Sequence, residues 1–212
     1  MATITDYGSL KAHLADTLNR DDLTSVIPQF VEFAMADLNR KLRVRQQMVR
    51  AQGNVFSGND KIRLPANFLA MRNIQVNTDP IRGLEYATPE RMDELRQSYN
   101  GGANGEPVYY TVMGDNIFVV PTPDGTYQLE IGYYRDIPTL TSDSDTNFLI
   151  TDHPDLITYG SLMHSAPYLQ DDSRLQVWAT LYSTALEATM EANKRALFSG
   201  SRQSNKPKMM KY

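Results

Sequence analysis

The spacing of apolar residues changes twice along this chain of 212 residues. Near the amino end, leucines recur every four positions at Leu10, Leu14 and Leu18, and helical spacing returns from about Asp152. Between about Arg45 and Tyr134, apolar residues instead alternate with polar ones. A period near four indicates amphipathic helices, whereas a period of two indicates strands. The sequence therefore predicts an α+β fold, with a helical bundle built from both ends of the chain and an inserted antiparallel β region.

Two helices are predicted in the first 45 residues. Asp6 or Ser9 can cap the first, and Pro28 suits the first turn of the second, because the first N–H groups of a helix have no partner within it. The second helix ends in a basic run of residues 40–45, which contains Arg40, Lys41, Arg43 and Arg45. The helix macrodipole favours cations at this end. An acidic partner surface is the alternative explanation for the run.

Two longer helices are predicted in the carboxy-terminal third. The first begins around Pro154, and Pro167 is expected to interrupt it, because proline lacks the N–H that a helix interior requires. The last begins near Asp172 or Ser173 and ends around Phe198. Helical spacing predicts that one face of this helix is buried. That face carries Leu175, Trp178, Ala179, Tyr182, Leu186 and Met190.

The strongest strand signals are three segments rich in β-branched and aromatic residues, at 108–112, 116–120 and 127–134. Gly114 and the pair Asp124-Gly125 are turn residues between them, so the sequence predicts a three-stranded antiparallel meander. Several tyrosines in these segments suggest cross-strand packing or a subunit interface, since Arg135 is the one cation that accompanies them. These are Tyr109, Tyr110, Tyr127, Tyr133 and Tyr134.

No pattern typical of catalysis or of cofactor binding stands out. His13, His153 and His164 form no cluster at metal-ligand spacing, and the absence of cysteine excludes disulfides and thiolate metal sites. Ser161 lacks the spaced glycines of a nucleophile elbow, and the glycine-rich residues 101–105 lack the flanking strand and helix of a phosphate cradle. The sequence therefore predicts a protein that is not an enzyme and that holds no cofactor or metal.

The end of the chain is basic although the whole chain has a net charge of −4. Residues 199–212 contain four cations and no acid, and they have little to bury. Such a segment is expected to be a flexible arm that orders on binding, with a frayed terminus as the alternative. Flexible methionines can anchor in an apolar groove. The candidate binding residues are Arg202, Lys206, Lys208, Met209, Met210, Lys211 and Tyr212.

These patterns divide the chain into three parts. Residues 1–45 and 146–198 are predicted to form the helical bundle, residues 46–145 the β-rich insertion, and residues 199–212 the basic arm. No apolar run approaches the ~20 residues that a membrane helix requires, so no membrane partner is expected.

An ordered series of short segments resembles the tailed-phage head-to-tail adaptors, also called head completion or connector proteins. The group includes the tail-tube adaptors of short-tailed phages, and the resemblance covers about residues 28–200. It depends on the order of the segments, since none is specific alone. They are the helix over 30–43, LPANFL at 64–69, GEPVYY at 105–110, VVPTPD at 119–124, YYRDIPTL at 133–140, TNFL at 146–149 and YGSL at 159–162.

The resemblance implies a structural protein of the virion neck, assembled in the host cytoplasm. Such adaptors form a ring, twelve-fold in the best-known members, that binds under the portal protein through the C-terminal arm. Genomic DNA passes through the lumen without sequence-specific recognition, and the opposite face receives a nozzle, tail or tail-terminator protein. This chain has a larger β insertion than the shortest members, so the partner of that insertion is open.

Two other classes remain open at this point. One is a small DNA-binding module that uses the basic run from Arg40 to Arg45 together with the arm. The other is an enzyme whose site is too sparse to recognise from sequence.

Overall fold

The computed structural model describes residues 3–98, 103–169 and 174–197. These residues fall into two compact units, one made of the chain before Gln47 and after Asp136, and the other of Gln47–Asp136. The six described helices are α1 (Tyr7–Leu18), α2 (Ile27–Lys41), α3 (Pro89–Ser98), α4 (Phe148–Asp152), α5 (Pro154–Leu169) and α6 (Leu175–Leu197). None of them is long and apolar enough to cross a membrane.

Eight strands complete the described fold. They are β1 (Met48–Val55), β2 (Lys61–Arg63), β3 (Phe68–Val76), β4 (Arg82–Gly83), β5 (Glu85–Tyr86), β6 (Tyr109–Met113), β7 (Asn116–Val120) and β8 (Tyr127–Arg135). They form one antiparallel sheet and one mixed sheet, so the predicted α+β class is confirmed.

The first helix begins with both of its predicted capping residues in use. The Asp6 carboxylate accepts a hydrogen bond from the Ser9 N–H at 2.8 Å, and the Ser9 hydroxyl accepts one from the Asp6 N–H at 3.0 Å. Two of the N–H groups at the helix start are thereby satisfied reciprocally, which is the capping box. The predicted alternatives, Asp6 or Ser9, are therefore two halves of one motif.

The helical unit has a core in which α5 lies against both α2 and α6. Gly160 of α5 allows this close approach, because an added Cβ would lie 3.1 Å from the Tyr182 ring and 3.3 Å from the Ala34 Cβ. Burial of a large apolar side chain contributes about 1.5–3 kcal/mol, so this core is the main stabilising element of the unit. Its fully buried members include Leu10, Leu14, Leu38, Leu42, Leu149, Leu156 and Ile157.

Three features of these helices differ from the sequence prediction. Pro167 lies within α5 and does not interrupt it. Its missing N–H falls near the end of the described helix, where few main-chain hydrogen bonds remain to be lost. Met190 is 48% exposed, since the buried face of α6 follows Trp178, Tyr182, Ala185 and Thr189. The short helix α4 was not predicted from the sequence.

The predicted three-stranded meander is wrong. The strands β6 and β7 do form an antiparallel pair, but β8 joins the other sheet, between β1 and β3. The strand orders are β1-β8-β3-β4 and β2-β7-β6-β5. Gly114 has the positive φ expected of a tight turn, at 57°, whereas Gly125 is not among the described glycines with positive φ. The loop between Val120 and Tyr127 leads into the other sheet, where β8 pairs with the long strands β1 and β3.

The two sheets share one apolar core within the β unit. Tyr133 stacks on Phe68 at 5.7 Å between ring centroids, and its hydroxyl donates a hydrogen bond to Asn67 at 2.9 Å. Tyr110 packs edge-on against Tyr86. The tyrosines of the β unit thus contribute to packing, as the sparse cations around them indicated.

Candidate assembly interface

A buried polar contact joins α2 to α6 in the helical unit. The Tyr182 hydroxyl donates a hydrogen bond to the Asp37 carboxylate at 2.7 Å, and the Lys41 ammonium donates another at 2.6 Å. Lys41 also lies over the Tyr182 ring, 5.2 Å from its centroid. A buried carboxylate is tolerated when charge-assisted hydrogen bonds compensate for lost hydration.

The electrostatics of this contact favour one protonation state. Burial raises the pKa of Asp37, but the hydrogen bonds from Lys41 and Tyr182 outweigh burial and hold the pKa below its ordinary value. Burial and the same hydrogen bond raise the pKa of Tyr182 far above its ordinary value. Asp37 is therefore ionised and Tyr182 is protonated at neutral pH. The contact therefore links α2 to α6 by a charge-assisted hydrogen bond at neutral pH.

The basic run at the end of α2 is largely engaged by its own helix. Arg40 and Lys41 form ion pairs with Asp37, and Arg43 donates to the main-chain carbonyl of Asn39 at 2.8 Å. Carbonyls at a helix C-terminus have no partner within the helix, so Arg43 satisfies one of them, while Arg40 and Lys41 are favoured there by the helix macrodipole. The contacts support the first of the two explanations given for the run, a stabilised helix end.

A groove of about 500 Å³ opens on another side of α2. Its floor consists of buried side chains of Tyr7, Val31 and Met35, and Leu140 lies along one wall. Asn39, also in the lining, accepts a hydrogen bond from the Ile137 N–H at 2.8 Å, which holds the start of that wall against α2. A groove of this size and apolar character is typical of a binding site.

Few charges face this groove. Glu32 is the one ionisable carboxylate in its lining, and it is exposed. Burial raises the pKa of the Tyr7 hydroxyl, which therefore remains protonated at neutral pH. Lys11 lies 4.5 Å from the centroid of the Tyr7 ring and pairs with Asp143. The lining thus offers apolar surface, the hydroxyl groups of Tyr7, Thr139 and Thr141, and one negative charge.

The other residues considered as chemical candidates serve the fold. Ser161 is buried, and its hydroxyl donates to the Ile157 carbonyl one helical turn earlier. Burial lowers the pKa of His164, against the opposing charge of Asp37, so this imidazole is neutral at neutral pH. Among the described residues, no three His, Asp or Glu side chains come together as a possible metal site.

The candidate binding residues of the arm lie outside the described part of the chain. These are Arg202, Lys206, Lys208, Met209, Met210, Lys211 and Tyr212.

A family model for the SU10 adaptor protein matches residues 5–205 of the chain. The chain belongs to the SU10 adaptor protein family. No curated protein matches it. The match includes both units of the adaptor, and it confirms the resemblance to phage head-to-tail adaptors that the segment order indicates.

The adaptor is therefore a structural protein of a phage, with a place in the virion. A structural family fits the expectation that the adaptor is not an enzyme, and it implies assembly with other head–tail proteins. Its functional surfaces are therefore expected to be those that contact other proteins.

The groove was not predictable from the sequence, although some of its lining residues were recognisable. Val31 and Met35 are recognisable as apolar positions on α2, but Tyr7 and Leu140 reach them from distant parts of the chain. A second surface, on α6, does have a recognisable sequence pattern. Residues 175–186 of the adaptor contain no charged side chain, although several of them are exposed on α6.

Proposed function

We propose that the adaptor forms a ring under the portal protein, extends the DNA channel and provides the attachment surface for the tail. Twelve copies is the expected number, from the resemblance to the best-known head-to-tail adaptors. The observation that carries the proposal is the family match, because it covers nearly the whole chain and therefore applies to the helical and β units together.

The three predicted parts of the chain would divide this work. The helical domain, residues 1–45 and 146–198, supplies the long helices that pack between neighbouring copies. The β insertion, residues 46–145, presents a rigid sandwich toward a nozzle, tail or tail-terminator protein. Two sheets around one apolar core hold their surface loops in fixed positions, which suits a docking platform.

The arm, residues 199–212, is proposed to dock on the portal. Arg202, Lys206, Lys208 and Lys211 would pair with acidic groups there, while Met209, Met210 and Tyr212 would fill apolar depressions. A segment that folds on binding loses conformational entropy, so each arm binds weakly. Several arms on one ring would bind together with much higher avidity.

The channel role fits the charge of the protein. The net charge is −4, and a strongly basic lumen would hold the phosphates of passing DNA by electrostatic attraction. An acidic or neutral lumen lets the DNA slide. A ring whose lumen is lined mainly by lysine and arginine would contradict this part of the proposal.

The test is electron microscopy of the adaptor mixed with the portal protein from the same phage. Full-length protein is expected to form a ring on one face of the portal. Protein lacking residues 199–212 is expected to remain folded, with an unchanged unfolding midpoint, and to lose portal binding. A full-length variant with glutamine in place of Arg202, Lys206, Lys208 and Lys211 tests whether portal binding requires the charge of the arm or only its presence. Normal portal binding by the truncated protein would refute the role of the arm.

The DNA-binding alternative is less well supported by the described contacts. Arg40 and Lys41 pair with Asp37, and Arg43 bonds to helix carbonyls, so part of their donor capacity is already used. Duplex binding that falls steeply with salt, and that Arg43→Gln weakens, would favour the alternative.

A further inference from the structure

One flank of α6 is exposed and carries no charge between Val177 and Ala188. Val177, Leu181, Thr184 and Ala188 recur at four- and three-residue spacing, so they lie in one line along the helix, which we call the α6 stripe. Val177 is 56% exposed and Leu181 38% exposed. Exposed apolar side chains aligned on one helix face mark a contact surface more often than singly scattered ones do.

The groove beside α2 matches the α6 stripe in length and chemistry. It follows α2 from Pro28 to Asn39, and the stripe runs from Val177 to Ala188. Each spans eleven residue steps, which is about 16 Å at the rise of an α-helix. The floor of the groove is apolar, as are Val177 and Leu181 of the stripe.

The groove and the helix α6 lie on opposite sides of α2. Successive residues turn by about 100° around a helix, so Pro28, Glu32, Met35 and Asn39 share one side. Asp37 lies about 180° from Pro28 by the same count, and it contacts Tyr182 of α6. Tyr182 of α6 therefore reaches α2 on the side that faces away from the groove. The stripe lies about 100° around α6 from the buried line of Trp178, Tyr182, Ala185 and Thr189.

This opposition restricts how two copies can meet. The stripe of one copy cannot enter its own groove, because α2 stands between them. In a two-fold dimer each copy would insert its stripe and accept the stripe of its partner within one contact. Both surfaces would then have to face the same side of the protein. A stripe that enters the groove of the next copy leaves a free groove at one end and a free stripe at the other. Such a heterologous contact repeats from copy to copy, and it closes into a ring when the rotation between neighbours divides a full turn.

We propose that the α6 stripe of one copy docks in the groove of the next and that this contact builds the ring. The proposal rests on the proposed function and names the surfaces through which it operates. Val177 and Leu181 would pack on Val31 and Met35, and Thr184 would lie near the Tyr7 hydroxyl.

Crosslinking tests this pairing directly, because the chain contains no native cysteine. Ala36→Cys places a thiol on the exposed rim of the groove, and Leu181→Cys places one on the stripe. The double variant, assembled with portal and treated with a short bismaleimide, is expected to give a ladder from dimers up to the closed ring. A mixture of the two single variants is expected to stop at dimers, and each single variant alone should remain uncrosslinked.

Each of the other outcomes contradicts a particular part of the proposal. A double variant that stops at dimers would indicate a two-fold contact and overturn the proposal. Rings that are visible by electron microscopy but give no ladder would overturn the proposal and leave the proposed ring function intact. Failure to form rings would refute the proposed function, whereas a ladder without portal binding would refute portal docking and leave the stripe–groove contact supported.

A charge substitution gives an independent readout. Leu181→Asp places a carboxylate in the proposed apolar contact and is expected to lower the yield of rings assembled with portal at least about tenfold, counted by electron microscopy. Ser183→Asp is the matched control, because Ser183 is exposed on α6 and lies outside the stripe. Both variants should unfold at the wild-type midpoint. Equal loss of rings in the two variants would contradict the assignment of the stripe.

Discussion

The Tyr182 hydroxyl donates a 2.7 Å hydrogen bond to the Asp37 carboxylate across a sequence separation of 145 residues. The contact joins helices from the two ends of the chain, between which the whole β unit is inserted. It therefore helps to fix the register of α6 on α2, and with it the positions of the α6 stripe and the groove.

Removing this hydroxyl should destabilise the helical unit. Tyr182→Phe keeps the ring under Lys41 but leaves Asp37 with one donor fewer, at an expected cost of about 1.5–3 kcal/mol for a hydrogen bond to a charged group. Urea unfolding followed by Trp178 fluorescence measures the loss. Tyr168→Phe is the control, because Tyr168 is 54% exposed, and it should change stability by less than about 0.5 kcal/mol. Equal effects of the two substitutions would show that the hydrogen bond is dispensable.

The contribution of Asp37 should depend on pH with a definite sign. Its pKa is lower in the folded protein than in the unfolded chain, so its stabilising effect is present above the unfolded pKa of about 3.9. The effect is lost as pH falls through the lower, folded pKa.

The stability difference between wild type and Asp37→Asn is therefore expected to stay constant from about pH 7 to 5 and to shrink below about pH 4. Chemical unfolding at a series of pH values measures it. Asp16→Asn removes the same charge at an exposed helix position and should change stability by less than about 0.5 kcal/mol. A difference that persists undiminished at the lowest pH would show that the charge of Asp37 is not the cause.

The cap of α4 offers a test of local structure. The Asn147 side-chain oxygen accepts hydrogen bonds from the N–H groups of Leu149 and Ile150, and its amide donates to the Pro138 carbonyl at 3.1 Å. Asn147→Ala should cost about 1–2 kcal/mol, because the cap is lost. Asn147→Ser keeps a capping oxygen and should be intermediate in thermal unfolding. A serine variant no more stable than the alanine variant would place the effect in the Pro138 contact.

Close packing at Gly160 should reject a larger side chain. Gly160→Val would press against Tyr182 and Ala34 where α5 meets α6 and α2, and we expect a loss of about 1–3 kcal/mol or more. Ala12→Val introduces the same side chain at an exposed position of α1 and should cost about 0.5 kcal/mol or less. Calorimetry of both variants checks the contrast. Valine is a better helix former than glycine, so propensity alone would not destabilise Gly160→Val, and a loss no larger than at Ala12 would show that packing at Gly160 admits the larger side chain.

Local features of the fold were predictable from the sequence where nearby residues determine them. The capping pair of Asp6 and Ser9 and the positive φ of Gly114 depend on contacts within a few positions. The exposure of Met190 was mispredicted, because helical spacing alone leaves the direction of the buried face open by about one residue, or about 100°. The packing of α5 settles which line of α6 residues is buried.

The sequence by itself determined the α+β class, the order of most elements and the family to which the adaptor belongs, because periodicity, turn residues and segment order are properties of the chain alone. Only the tertiary structure decided that β8 leaves β6 and β7 for the other sheet, and that Tyr7, Met35 and Leu140 line one groove. Both outcomes depend on which distant surfaces compete best for burial. That competition involves contacts between residues far apart in the chain, which no local pattern contains.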